Sequence, residues 1–245
     1  MSEKIREYGS SGTIDLGLRA YMLRVYSYMC AGLMISTISA FLTINLAPLR
    51  NLIFSFSSGR IGLTPIGFVV TMAPLFIGMY FFSARNSFSI ERGKNLFWAY
   101  ATLLGMSVSS LAIFYTGESI AVTFLVCASL FAGMSIYGHT TKRDLTAFGS
   151  FLIMGVLGLV IASVINIFVR SSALTFVTSA IGVLAFTGLV AYDTQKIKSH
   201  YYDALDRGGD QGKAALVGAF ILYLDVINLF IYLLHFLGVR RKGSE

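Results

Sequence analysis

Seven apolar stretches of 20 to 26 residues, nearly free of charged side chains, limit what this chain can fold into more than any other feature. They lie at residues 21–46, 63–83, 95–115, 119–138, 145–168, 173–192 and 214–238. A helix of this length crosses the ~30 Å hydrocarbon layer of a bilayer, whereas a transmembrane β-strand needs only about ten residues of alternating polarity. The pattern predicts an all-α polytopic membrane protein, a bundle of seven transmembrane helices.

The composition agrees with a membrane location. Hydrophobic residues make up 56% of the chain and charged residues 13%, against about 25% charged in a typical soluble domain. The net charge of +7 comes from basic residues in short segments between apolar stretches, which favours contacts with lipid headgroups over nucleic-acid binding. Cys30 and Cys127 fall inside apolar stretches without CxxC spacing, so both are expected to be buried thiols.

The chain divides into a polar N-terminal tail (1–20) without an apparent signal peptide, a single transmembrane domain (21–238) and a short basic tail (239–245). Two connections are long. The first, 47–62, has apolar pieces and is expected along the membrane interface. The second, 193–213, is the most polar; its first half could continue the sixth helix, and Gly208 and Gly209 would then turn the chain back.

The distribution of Lys and Arg predicts the orientation. With the N-terminus inside, 13 of them lie in cytoplasmic segments and 3 in outside loops, which follows the positive-inside rule. The basic residues 240–242 then end outside, against that rule. Either the last helix crosses despite these charges, or it re-enters and returns; seven crossings is the preferred interpretation.

Two aspartates are the main candidates for function. Asp225 lies near the middle of the last apolar stretch, and Asp193 ends the preceding one. An ionisable group inside the membrane is costly and marks a functional hypothesis, and two carboxyl groups in one low-dielectric site tend to share a proton. When ionised they could also bind Ca²⁺, with Asn228 or Thr194 adding oxygens. The two aspartates are not level if both helices stand upright, and a tilt or an early start to the burial of the seventh helix would bring them closer. Alternatively, Asp193 sits among headgroups and Asp225 in a polar cluster of the bundle.

The motif AYDTQKI, followed about thirty residues later by LYLDVINLFIYLLHFLG, resembles the signature of the Bax inhibitor-1 family. The resemblance implies seven helices with a cytoplasmic N-terminus and a central last helix. Bacterial members are described as pH-sensitive calcium leak channels closed by a carboxylate pair, which here corresponds to Asp193 and Asp225. It also implies a bacterial inner-membrane location and Ca²⁺ as permeant or bound ion, without a tightly bound cofactor.

The resemblance extends to a basic residue at the inside end of the second helix, thought to bridge to the Asp of the sixth. Arg85, in MYFFSARN, is the nearest match; the alternative is an anchor that follows the positive-inside rule. Some relatives carry a carboxylate midway along the second helix. This chain reads VVTMAPLFIG there, so a site that depends on that carboxylate is absent.

Other functions remain open. Intramembrane aspartyl proteases use two membrane aspartates, and Tyr192-Asp193 fits one motif, but Asp225 lacks the Gly-x-Gly of the other. We therefore predict that the protein is not an enzyme. A proton-coupled transporter is a further alternative. The main alternative to a channel is a regulatory scaffold that binds other membrane proteins, such as a protease complex, without conducting ions.

Overall fold

The computed structural model describes residues 15–57, 60–85 and 87–241. In these ranges the helices are α1 (Leu16–Asn45), α2 (Ala47–Ile53), α3 (Pro65–Ala84), α4 (Ile90–Val108), α5 (Leu111–Phe114), α6 (Gly117–Thr140), α7 (Thr146–Val169), α8 (Ser172–Asp206) and α9 (Gln211–Leu237). Two short strands, β1 (Phe54–Ser57) and β2 (Arg60–Leu63), form an antiparallel hairpin.

Within the described ranges, seven helical segments are long and apolar enough to cross a membrane; α4 and α5 together form one of them, Ile90–Phe114. The prediction of an all-α polytopic membrane protein is therefore confirmed. The most buried of the seven is α9, as a helix packed on several sides must be. The largest difference from the predicted bounds is at α8, whose helix runs to Asp206 rather than ending with the apolar stretch at residue 192.

The structure forms two compact units, of which the first comprises Met1–Val25 and Glu118–Val239. Its described part contains the first turns of α1, α6 from Glu118 onward, and all of α7 to α9. Polar residues of α8 beyond Asp193 stay helical because that face packs against the unit. Tyr201, for example, lies 5.3 Å from Tyr21 between ring centroids.

The second unit comprises Tyr26–Gly117 and Arg240–Glu245. The rest of α1 crosses α4 closely: Ser36 Oγ donates to the Ala101 carbonyl at 2.8 Å, and a Cβ on Gly105 would lie 2.3 Å from the Ser36 carbonyl oxygen. Small residues at 101 and 105 therefore let these two helices meet at backbone distance. Cys30, on this part of α1, is exposed, so the expectation that both thiols are buried is wrong for Cys30; in a membrane span an apolar thiol can face lipid as readily as protein.

The connection 47–62 folds as α2 and most of the hairpin. It packs on the start of α3, where a Cβ on Gly67 would lie 2.0 Å from the Ile53 carbonyl oxygen. The Thr64 hydroxyl accepts from the Gly67 backbone N–H and caps α3, and Pro65 occupies its first turn, where no N–H partner is needed.

The last helix runs from one end of its unit to the other. It begins at the turn after α8. Close to that turn, Lys198 of α8 donates a hydrogen bond to the His139 carbonyl, so the C-terminal end of α6 lies at this side. It finishes beside the opposite end of α6, where the Val239 N–H donates to Ser119 Oγ at 2.9 Å. A helix that re-entered and returned would end at the side where it began, so this geometry favours a full crossing.

Candidate functional site

The two candidate aspartates belong to a helical hairpin made by α8 and α9. The turn between them depends on Gly208, whose φ of +62° is a left-handed conformation that glycine adopts without strain. Asp210 then caps α9, because its Oδ1 accepts from the backbone N–H groups of Gly212 and Lys213 at 2.8 and 3.1 Å. The sequence RGGD therefore encodes a tight reversal.

This reversal brings the two aspartates to the same height. Asp193 lies 13 residues before the end of α8 at Asp206, and Asp225 lies 14 residues after the start of α9 at Gln211. Since a helix rises ~1.5 Å per residue, both aspartates lie roughly 20 Å from the turn along the helix axes. Their side chains are within hydrogen-bonding reach of each other, and we call them the carboxyl pair.

Close contacts on both sides fix the register of the pair. Toward the turn, Ile197 packs on Gly218, whose added Cβ would lie 3.0 Å from the nearest Ile197 carbon. On the other side, the Phe186 ring stacks on Tyr232 with centroids 5.5 Å apart. The apolar stretch ends at Tyr192, but the helix continues to Asp206, so the first half of the polar connection does extend the sixth membrane helix, as the sequence allowed.

The two members of the pair differ in their surroundings. Asp225 is only 5% exposed, and its Oδ2 has no hydrogen-bond partner among the described residues. Asp193 is half-buried and feels the positive charge of Lys196, whose Nζ lies 5.3 Å from the centroid of the Tyr192 ring. Two carboxyl groups can hydrogen-bond only if one of them carries a proton. The arrangement can therefore hold a shared proton, with one oxygen turned into an apolar interior.

Helix α6 lines the site beside both members of the pair. Ser135 Oγ and Thr194 Oγ1 lie 3.2 Å apart, next to Asp193, and the Cys127 thiol donates to the Val226 carbonyl at 3.6 Å, next to Asp225. The approach of α6 to α8 requires Gly138, because a Cβ there would lie 2.2 Å from the Ala191 carbonyl oxygen.

Other residues predicted for a cation site are arranged less favourably. Asn228 Nδ2 donates to the Leu224 carbonyl of its own helix at 2.8 Å, and Thr194 is engaged with Ser135. In the described part of the chain no cluster of three or more His, Cys, Asp or Glu side chains could hold a metal ion. Two carboxyl groups supply fewer oxygens than the six to eight that Ca²⁺ takes.

Arg85 follows the last turn of α3 in the second compact unit, with its side chain exposed. Asp193 belongs to the first unit. A bridge between these two residues therefore stays a prediction.

Sequence reasoning missed Gln195, which is buried and makes two hydrogen bonds to the connection between α6 and α7. It lies inside the AYDTQKI motif, two residues after Asp193, and a polar residue at the end of an apolar stretch reads as a simple boundary. The signal that could have found it is its amide, which can donate and accept at once and so suits the backbone of a buried connection.

Comparisons with known proteins agree with the resemblance in the sequence. The sequence model of the family described as "Inhibitor of apoptosis-promoting Bax1" matches residues 18–242, which include the carboxyl pair. Uncharacterized protein RP147 of Rickettsia prowazekii is 49% identical over 231 residues, covering 94% of this chain and 93% of that protein. An uncharacterized protein of Caulobacter vibrioides is 44% identical over 234 residues, covering 94% and 92%. Inner membrane protein YbhL of Escherichia coli K12 is 40% identical over 227 residues, covering 92% and 94%.

Proposed function

This chain belongs to the Bax inhibitor-1 family, and we propose that it is a pH-sensitive leak channel for Ca²⁺ and other cations, gated by Asp193 and Asp225. The observation that carries the proposal is the carboxyl pair itself, which lies between the last two helices at equal height with Asp225 buried and Asp193 half-buried. A structural role alone gives little reason to keep two carboxyl groups together in an apolar interior, since unpaired charge there is costly.

In the closed state the pair shares a proton, and the resulting hydrogen bond joins α9 to α8. When that proton leaves, two like charges face each other. Unit charges about 4 Å apart repel by roughly 4 kcal/mol at an effective dielectric constant near 20, enough to change an open-to-closed ratio about a thousandfold. The open state binds fewer protons than the closed one, so closure weakens as pH rises through the apparent pKa of the pair.

Calcium enters this scheme as the permeating ion. The ionised pair offers it carboxylate oxygens, and Asn228 can add its side-chain oxygen while its amide nitrogen stays on Leu224. Backbone carbonyls or water would have to complete the coordination, which suits brief contact during passage rather than tight binding. Because Ca²⁺ and the proton compete for the same oxygens, acid should weaken the interaction with Ca²⁺.

We place the channel in a bacterial inner membrane with a cytoplasmic N-terminus and no enzymatic activity. The Escherichia coli relative is named as an inner membrane protein, which supports the location. The distribution of Lys and Arg supports the orientation.

The test is Ca²⁺ flux into liposomes that contain the purified full-length protein and a Ca²⁺-sensitive dye, measured across pH. Wild type should leak more as pH rises. Asp225→Asn and Asp193→Asn should each flatten the pH profile, and the double variant should add little, because the two residues act as one unit. Asp210→Asn is the matched control: it makes the same chemical change at an exposed helix cap that Asn fills equally well.

Two results would refute the gate. If each single variant kept the wild-type pH profile, the shared proton would not control flux. If the folded wild type showed no flux at any pH while Asp225→Asn changed its binding to other membrane proteins, the scaffold function would replace the channel.

A further inference from the structure

Gln195 joins α8 to the connection between α6 and α7. Its side chain is 6% exposed, and it makes two hydrogen bonds of opposite sense: Oε1 accepts from the Leu145 N–H at 2.9 Å, and Nε2 donates to the Arg143 carbonyl at 2.7 Å. Both partners are backbone groups in the last residues before α7 begins at Thr146. A buried amide that satisfies two backbone groups ties the helix to this connection firmly.

Three consecutive residues of α8 thus contact three different elements. Asp193 meets α9, Thr194 meets α6 through Ser135, and Gln195 meets the connection before α7. Since successive residues of a helix point about 100° apart, these contacts surround one turn of α8 and resist its rotation. One turn further on, Lys198 adds a hydrogen bond from Nζ to the His139 carbonyl at 3.1 Å.

Next to Asp225, α9 also contacts α6 through a polar group. Its hydrogen bond to α6 comes from the Cys127 thiol, a poor donor, at 3.6 Å from the Val226 carbonyl oxygen. The hydrogen bonds of Thr194 and Gln195 therefore fix α8 itself at this level, and Asp193 with it.

We propose that Gln195 is a positioning residue for the carboxyl pair: it fixes the rotation of α8 so that Asp193 stays within hydrogen-bonding reach of Asp225. This inference rests on the proposed function. A side-chain oxygen about 6 Å from the helix axis moves roughly 1 Å when the helix rotates by 10°, which is enough to break a hydrogen bond between two carboxyl groups.

Other charged or titratable groups near the pair are few in the described part of this unit. Lys196 acts on Asp193 from α8, and Cys127 lies beside Asp225 on α6. The sequence of α7 contains no titratable side chain, and on α9 the nearest titratable neighbour in sequence is Tyr223, two residues before Asp225.

The experiment compares Gln195→Met with wild type by two measurements across pH: Ca²⁺ flux in liposomes, and hydrogen exchange of α8 and α9 peptides followed by mass spectrometry. Met keeps the side-chain length and removes both hydrogen bonds. We expect the half-maximal pH of leak and of α9 exchange to fall by about one unit, a tenfold change in open-to-closed ratio if one proton is released. Ser199→Ala is the matched control, since it deletes a buried hydrogen bond that α8 makes only to its own Lys196 carbonyl.

The same change in an Asp225→Asn background separates positioning from general stability. If Gln195 acts through the pair, Gln195→Met should add no pH shift once Asp225 has lost its titratable carboxyl group. An equal shift in both backgrounds, or a Gln195→Met profile like that of Ser199→Ala, overturns the proposal. Should Gln195→Met not fold, Gln195→Asn is the milder variant, since it keeps the amide but is one methylene shorter and cannot hold both backbone groups. It must shift both profiles in the same direction, and an unshifted profile again overturns the proposal.

Failure of the proposed function would look different. A wild type without flux at any pH contradicts the channel, yet pH-dependent exchange in α9 would still test Gln195 on its own. Exchange that is independent of pH in the wild type contradicts both.

Discussion

Replacing Gly138 by Ala should force α6 away from α8. The added Cβ would lie 2.2 Å from the Ala191 carbonyl oxygen, whereas real Cβ atoms essentially never come closer than 3.0 Å to such a neighbour, so the helices must separate by about 1 Å. Both partners at the contact belong to helix backbone, so no rotamer change can relieve it. Overpacking of this kind costs about 1–3 kcal/mol.

The separation also weakens the contact between Ser135 and Thr194, one turn away and already 3.2 Å long, at a further cost of about 1 kcal/mol. For a chain of this size, a total of roughly 2–4 kcal/mol lowers the melting temperature by about 5–15 °C. The assay is thermal unfolding of the purified protein in one detergent, with liposome flux as a second measurement. Because the contact adjoins the carboxyl pair, the leak at low pH should rise as well.

Gly133→Ala is the control for this prediction, as it lies on the same helix and its added Cβ meets nothing within 4 Å. That change should leave stability the same or raise it slightly, since Ala favours helix more than Gly. Equal melting temperatures for the Gly138→Ala and Gly133→Ala variants would refute the inference that α6 and α8 meet at backbone distance.

Two further predictions concern orientation and the second unit. Single cysteines at Gly117 and Gly209, introduced after Cys30 and Cys127 are replaced, should react with impermeant reagents from opposite sides, Gly209 from the cytoplasm; labelling of both from one side would show the orientation to be wrong. Arg85→Ala should raise the basal leak if its guanidinium holds the cytoplasmic mouth shut through Asp193, whereas unchanged flux with normal folding would make it a membrane anchor.

The number and identity of the membrane helices could be predicted because hydropathy responds directly to the thickness of the bilayer. Their ends follow less directly from hydropathy, and α8 shows why. Residues 193–206 are polar, but they stay helical because Tyr201 and its neighbours pack on the first turns of α1. Hydropathy marks where a chain leaves an apolar environment. A helix continues beyond that point for as long as its side chains pack against neighbouring elements.

The same limit explains what was missed at the site. The two aspartates stand out in the sequence because charge is rare in apolar stretches. Their equal height depends on the length of α8 past Asp193, which apolar pattern does not report. Gln195 is ordinary in sequence, and its importance comes from the connection 141–145 folding back onto α8, a tertiary contact.

In the closed state that we propose, side-chain packing and the charge of the carboxyl pair make separate contributions to stability. The face of α9 toward its unit is filled by large side chains with almost no exposure, among them Leu216, Phe220, Tyr223 and Leu229. In lipid such packing holds helices together through close van der Waals contact and does not depend on pH. The carboxyl pair makes a smaller contribution to the free energy of closure. That contribution changes from favourable to unfavourable when the pair loses one proton. If the pH-independent packing leaves the open and closed states nearly equal in free energy, the titration of one carboxyl pair can shift the protein between them without unfolding it. It follows that removing the pair should abolish the response to pH while leaving the helical hairpin intact.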